Sequence, residues 1–259
     1  MCGRYVIYFL PEEIHERFQL RHIPRELFHS FNAAPTQGLP VVWSPEAEAR
    51  EVATMRWGLV PRWSRPGLLN APPAPFNARA ESLAEKPMFR SLIASRRCLV
   101  PANGYYEWRT EGGKKQPYYF SLPGEPIFSF AGLYDEIPGD ADAPGDPDGP
   151  RRSFTVVTTR PNDLTAGFHH RMPVILARGD EEEWLSRDVT DPRIVDRLLL
   201  NPYPADRMAA HPVSPAVGNV RVNDPSLIES VGRAVVAEEA DSDVVTADDD
   251  APQHQSTLF

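Results

Sequence analysis

Between Arg97 and Thr159 the chain repeats one pattern. Short stretches rich in aromatic and β-branched residues, "RCLVPANGYYEWR", "QPYYFSL", "PIFSFAGLY" and "RSFTVVTT", are divided by turn-forming segments such as "TEGGKK". Side chains of this kind suit a pleated, half-buried surface, and a Gly-Gly pair between two such runs favours an antiparallel hairpin. "MPVIL" supplies another strand, and further strands are expected at Arg4 to Leu10, with apolar residues facing both ways, at Val41 to Trp43 and at Glu51 to Trp57. "PEEIHERF" opens with Pro and two acids, as a helix start does; "DEEEWLSR", "DPRIVDRLLL" and a segment near Ser82 to Ala94 also read as helices. The expected fold class is α+β, with a curved, barrel-like, mainly antiparallel β-sheet core flanked by helices.

A chain of 259 residues can bury a sizeable core, and no composition shift splits it before residue 235. The reading is one domain over 1–235 and an acidic, disordered tail over 236–259, with "IPGDADAPGDPDGP" as a surface loop. The apolar run Val6 to Leu10 is too short for a secretory or spanning segment, so a cytoplasmic, nucleoid-associated protein away from membranes is expected, with Cys2 and Cys98 as thiols. A net charge of −9 argues against a nucleic-acid partner until its distribution is considered. Glu238 to Asp250 accounts for −7 of it, whereas Arg50 to Arg109 carries nine Arg and one Lys against four acids. The acidic tail hides a basic face.

In "GYYEWR", strand alternation puts Tyr105, Glu107 and Arg109 on one side and Tyr106 and Trp108 on the other. A carboxyl desolvated among bulky neighbours titrates near neutrality, as a general acid or base requires. Taken alone, an exposed strand Glu paired with Arg109 or Lys114 is the simpler reading. "RWGLVPRWSRPG" interleaves Arg56, Arg62 and Arg65 with Trp57 and Trp63, a composition suited to holding phosphates and stacking bases of a single strand. Trp57 reads as core, whereas Trp63 lies in a Pro/Gly loop. In "FNARAES", Asn77 offers a donor and an acceptor, or a turn, and Arg79 a phosphate fork; "GFHHRMPVIL" offers His169 and His170 as proton carriers. Cys98, flanked by apolar residues, reads as a small core residue. No metal-ligand spacing, P-loop or dinucleotide fingerprint is present, so neither metal nor cofactor is expected.

"MCGRY", "WGLVPRW", "FNARAES", "CLVPANGYYEW", "HHRMPVIL" and "HPVSPAVGNV", in this order, resemble the SOS-response-associated peptidase family, also called abasic-site processing or SRAP-domain proteins. The resemblance implies a β-rich α+β fold, a basic groove for single-stranded DNA and a covalent link between Cys2 and abasic sites. It makes Cys2 the nucleophile, with Asn77 orienting it, Glu107 as acid and base, and His169 completing the proton-transfer set. Arg4 and Arg79 would bind phosphates beside the lesion, with Arg56, Arg62, Trp63 and Arg65 along the groove. The chain departs from the pattern at His170, where the family usually places an acid.

Loss of Met1 would leave Cys2 with a free amine and a thiol, the pair that condenses with an aldehyde to a thiazolidine. The expected function is therefore a crosslink that shields an abasic site in single-stranded DNA during replication, made by a monomer; lyase and autopeptidase activities could accompany it. Two rival classes remain open: an N-terminal-nucleophile cysteine peptidase, and a noncatalytic single-stranded DNA adaptor. The end "QSTLF" resembles peptides that dock on sliding clamps through residues such as Gln255, Leu258 and Phe259, and equally reads as an accidental apolar terminus.

Overall fold

The computed structural model describes residues 2–46, 49–64, 74–137, 152–188 and 192–235. Arg65, the tail from 236 onward and the clamp-like end at Gln255, Leu258 and Phe259 lie outside them. In chain order the elements are β1 (Tyr5–Ile7), α1 (Pro11–Phe18), β2 (Ser30–Ala33), β3 (Gly38–Glu46), β4 (Ala49–Trp57), β5 (Asn77–Arg79), α2 (Pro87–Ser95), β6 (Arg97–Ala102), β7 (Gly104–Glu111) and β8 (Lys114–Ser121). There follow β9 (Phe128–Glu136), β10 (Arg152–Thr159), α3 (Asp163–Ala166), β11 (Met172–Pro173), β12 (Ile175–Leu176), α4 (Arg178–Leu185), α5 (Pro192–Leu200) and β13 (Ala209–Pro212). Among the described residues no helix is long and apolar enough to cross a membrane.

Five strands close a mixed barrel. β4, β3, β6, β9 and β10 pair antiparallel in that order, and β10 returns to β4 in parallel, Ser153 opposite Arg56. A second, fully antiparallel sheet runs β13-β8-β7-β1-β2. The expected α+β, barrel-like architecture is therefore present. Its local chemistry is legible at the β7–β8 hairpin, where Glu111 faces Lys114 across Gly112 and Gly113 at φ 54° and 78°. Two positive φ values at a two-residue turn need glycine.

The aromatic core lies between barrel and sheet. Tyr5 packs edge-on to Trp57 at 5.0 Å, and Phe130 meets both Tyr5 and Tyr105 at 5.9 Å. A smaller cluster of Val6, Phe31, Tyr106, Tyr119, Val213, Val217 and Leu227 covers the sheet's other face. β1 is thus buried on both sides, which is why its residues are apolar on both faces. On the barrel's flank Arg17 of α1 pairs with both oxygens of Glu181 of α4 at 2.8 and 2.9 Å, and Ser129 of β9 donates to the same carboxylate.

Several local expectations change. "RCLVPANGYYEWR" is two strands, not one, and they belong to different sheets: β6 is a barrel stave, β7 a sheet strand, and Asn103 alone joins them. Asn103 is pinned by four bonds. Its N–H donates to Val6 O, its Oδ1 accepts from Tyr8 N–H, its Nδ2 donates to Pro126 O, and its carbonyl accepts from the Tyr119 hydroxyl. The helix expected near Ser82 starts at Pro87, because Ala80–Ser82 forms a separate 3-10 turn and the residue before a proline avoids helical ψ. "MPVIL" divides into β11, pairing with β10, and β12, pairing with β9.

Gly104 follows Asn103 directly, and a Cβ there would run into the ring of Tyr119. Gly104→Ala is expected to destabilise the fold by about 1–3 kcal/mol, seen as a lower urea midpoint with unchanged slope. An unchanged midpoint would mean that Tyr119 can move aside.

Candidate functional site

The site forms where β10 outruns the barrel. The first half of β10 is flanked by β4 and β9. Over the second half β5 replaces β4, with Val156 opposite Asn77 and Thr158 opposite Arg79, and β11 replaces β9, with Thr158 opposite Pro173. Asn77 and Arg79 therefore lie on one side of the end of β10, and the segment leading from His169 into β11 lies on the other. From the second sheet, the Tyr106 N–H donates to Arg4 O and carries the β1–β7 ladder one residue beyond Tyr5. Cys2 enters just before it, and its carbonyl accepts a 2.8 Å bond from Asn77 Nδ2. This bond ties the N-terminal segment to β5.

Cys2 is fully buried, and both cysteines are free thiols. Burial pushes the Cys2 thiol well up, the negative charge of Glu107 raises it further, and the N-terminal ammonium and the Arg4 amide act in the opposite direction. Glu107 itself is 4% exposed, so the exposed strand reading is overturned. Arg109 pairs with Glu111 instead. Desolvation lifts the Glu107 carboxyl to about 7, against the pull of the N-terminal ammonium and the Trp108 amide. Tyr5 and Tyr105 close the recess, their hydroxyls buried, unpartnered and pushed up first by burial and then by Cys2.

His169 is half-buried and stacks on His170 with ring centroids 4.2 Å apart. Burial, then the N-terminal ammonium and His170, hold its imidazole down to about 4. Its Nδ1 accepts from the Arg171 N–H at 3.0 Å, so the neutral ring carries its proton on Nε2. The recess thus combines a buried thiol, an acid that is half ionised near neutrality and a neutral imidazole that offers an N–H. That set can move protons in both directions at one carbon.

The residues expected to hold DNA divide into two groups. Arg62 and Arg79 are exposed, and Trp63 is 59% exposed on the loop after β4, where the Arg62 N–H is anchored by Asp135 at 2.8 Å. Arg4 is half-buried; its Nη1 donates to Asn32 Oδ1 and Val217 O, both at 2.7 Å. Arg56 departs from the expectation. It is 5% exposed and its guanidinium donates to Gly58 O at 2.9 Å, because a β4 residue opposite Gly38 and Ser153 is inside the barrel wall. Trp57 is core, as expected.

Two residues went unread in the sequence, Glu81 and Arg171. The Arg171 guanidinium makes a bidentate pair with Glu81 at 2.7 and 2.9 Å and also donates to Thr158 O. Each lies within a motif singled out above, but only the fold brings the two motifs together. Among the described residues no group of three His, Cys, Asp or Glu is placed to hold a metal.

Known proteins resemble this chain in sequence and fold. The chain is 38% identical over 234 residues to the abasic site processing protein YoqW of Bacillus subtilis, covering 89% of this chain and all of that one. It is 31% identical to the abasic site processing protein HMCES of Xenopus tropicalis, over 78% of this chain and 66% of that one. A crystal structure of a protein from Bacteroides thetaiotaomicron superposes with a TM-score of 0.75 at 30% identity, covering 88% of this chain and 99% of its own. Residues 1–220 match the SOS response associated peptidase (SRAP) family, and the chain belongs to it.

Proposed function

We propose that the protein processes abasic sites in single-stranded DNA by forming a thiazolidine crosslink through Cys2 after Met1 is removed. The observation that carries this reading is the Asn77–Cys2 bond, which holds the one residue able to present both an amine and a thiol beside the buried carboxyl of Glu107. The relatives' names, abasic site processing proteins, support the same substrate.

The chemistry follows from the groups present. Glu107, near its midpoint at neutral pH, takes the hydroxyl proton of the cyclic abasic sugar as the bond from that carbon to the ring oxygen breaks, and returns it to the released oxygen, giving the open aldehyde. The Cys2 amine adds to the aldehyde carbon to give a hemiaminal. The Glu107 carboxyl protonates its hydroxyl while the Nε2–H of His169 hydrogen-bonds the departing oxygen; one water leaves, the nitrogen returns its proton to Glu107, and an imine remains. The Cys2 thiol then adds across the C=N bond: sulfur bonds to carbon, nitrogen gains the proton, and a five-membered ring closes. Proximity favours this last step because both nucleophiles belong to one residue. Burial keeps the thiol protonated at rest, so a base is needed at the moment of attack, and Glu107 is the base beside it.

Incubation with an oligonucleotide carrying one abasic site should give a slow-migrating, heat-stable band on a denaturing gel. An oligonucleotide without the lesion should give none, and absence of the band with both would overturn the proposal. The peptidase reading concerns the same groups: if Glu107→Ala protein retains Met1 by mass spectrometry, removal is autocatalytic, and complete processing assigns it to an external aminopeptidase.

The flanking strand is proposed to run over Arg79, Arg62 and Trp63. Trp63→Ala should weaken single-strand binding by about 1–3 kcal/mol through lost base stacking, with little change in salt dependence. Arg79→Ala should instead reduce the slope of log K against log salt by about 1. Fluorescence anisotropy at several salt concentrations separates the two; identical effects on slope would remove the stacking role of Trp63.

A further inference from the structure

We propose that Arg171 is a positioning residue for His169, held in place by Glu81, so that a single ion pair fixes which imidazole nitrogen carries the proton. The same pair fastens the His169 segment to the strand that carries Asn77 and Arg79. This deepens the function proposed above and rests on it for any effect on rate.

Arg171 does two things with two parts of itself. Its backbone N–H donates to His169 Nδ1 at 3.0 Å, which leaves Nε2 as the protonated nitrogen. Its guanidinium crosses the end of β10, donating to Thr158 O on the way, and closes on both oxygens of Glu81 at 2.7 and 2.9 Å. Glu81 sits in the 3-10 turn that follows β5, two residues after Arg79. Thr158 is itself the β10 residue paired with Arg79 on one edge and Pro173 on the other. The ion pair therefore spans the junction where the two halves of the site meet, over a β10 end that no barrel strand covers on either side. A bidentate guanidinium–carboxylate pair has a fixed planar geometry, which a lone ammonium or a single hydrogen bond lacks. With Arg171 9% exposed, the cation cannot swing into solvent when Glu81 is present. Fixing the amide that faces Nδ1 is the direct consequence.

Burial first, then the N-terminal ammonium, the stacked His170 and the charge of Arg171 act to hold the imidazole down. Without Glu81 the Arg171 guanidinium loses the bidentate partner that holds it, and with it the brace that keeps its amide opposite Nδ1.

The test is nitrogen-15 NMR of the imidazoles in the full chain, wild type against Glu81→Ala and Glu81→Gln, with crosslinking rates measured in parallel. The Glu81 side chain is 47% exposed, so its truncation opens no cavity. Wild-type His169 should show a bare Nδ1, a protonated Nε2 and a midpoint near 4. Glu81→Ala should mix the two neutral tautomers, read as intermediate shifts at both ring nitrogens. Glu81→Gln, keeping one acceptor oxygen, should fall between them, and it carries the test should the alanine variant not fold. Crosslinking at pH 7 should drop roughly tenfold in Glu81→Ala. An unchanged tautomer in the folded variants would overturn the proposal whatever the rates do. The expected NMR change in a protein that never crosslinks would leave the clamp standing and remove the function instead.

Discussion

Replacing Cys2 with Ala is expected to abolish the heat-stable DNA adduct, to below about one-thousandth of the wild-type yield, because the sulfur that closes the ring is lost. An alanine amine can still condense with the aldehyde, but no thiol remains to close on the imine. The Cys2→Ser variant sharpens the point. It keeps the amine and a hydroxyl, which is a far poorer nucleophile than sulfur, so the reaction should stall at the imine. Borohydride should then trap a reduced crosslink, and without borohydride strand cleavage by β-elimination should increase. Both variants fill nearly the same buried volume, so their urea midpoints should stay within about 1–2 kcal/mol of wild type. A Cys2→Ala adduct as strong as wild type would overturn the assignment of the nucleophile.

Glu107→Gln should slow crosslinking by about 10²- to 10⁴-fold, the span usual for loss of a general acid–base group. It should also make the protein more stable at alkaline pH. In the folded chain desolvation lifts this carboxyl to about 7 from an ordinary 4.5. The native state therefore holds its proton to higher pH than the unfolded chain does. Stability falls as pH rises from about 4.5 to about 7 and is level above that, a loss of about 3 kcal/mol from this one group. Glutamine is neutral throughout and removes that loss, less whatever the carboxylate gained from the Trp108 amide. His169 acts in the opposite sense. Held down to about 4, it makes stability rise with pH until its unfolded value near 6.5 is passed. The informative quantity is thus the difference between variant and wild type at each pH, from urea unfolding at pH 5 and pH 8. A gain near 1–3 kcal/mol at pH 8 that shrinks at pH 5 is expected; a constant difference would mean that Glu107 ionises as an ordinary exposed carboxylate.

Much of the barrel was legible because its signals are local. Alternating aromatics, a Gly-Gly turn and a Pro-led helix act over a few residues, and β8, β9, β10 and α1 lie where those signals put them. What was illegible is nonlocal. β5 has three residues and no propensity of its own; it is a strand because Val156 to Thr158 offer it an edge. β2 and β13, four residues each, depend in the same way on β1 and β8. The same division holds at the site. Cys2 could be singled out from its chain position; Glu107, read alone as an exposed strand residue, was picked out with Asn77 and His169 by resemblance. Arg56 was misplaced, because an arginine between a methionine and a tryptophan reads as basic and exposed until the barrel wall closes around it. Glu81 and Arg171 lie 90 positions apart, and no spacing rule joins them.

The single residue between β6 and β7 has a kinetic meaning. With Asn103 bonded through its N–H, its carbonyl and both side-chain amide atoms, the β6–β7 connection between barrel and second sheet is braced against bending. On the proposed function, part of the burden of adaptation passes to the nucleic acid: the damaged nucleotide must swing into a slot braced at this point. A single strand, free to rotate about its backbone, does this readily, whereas a stacked duplex must first come apart. Preference for unpaired DNA would then be a matter of which partner can bend.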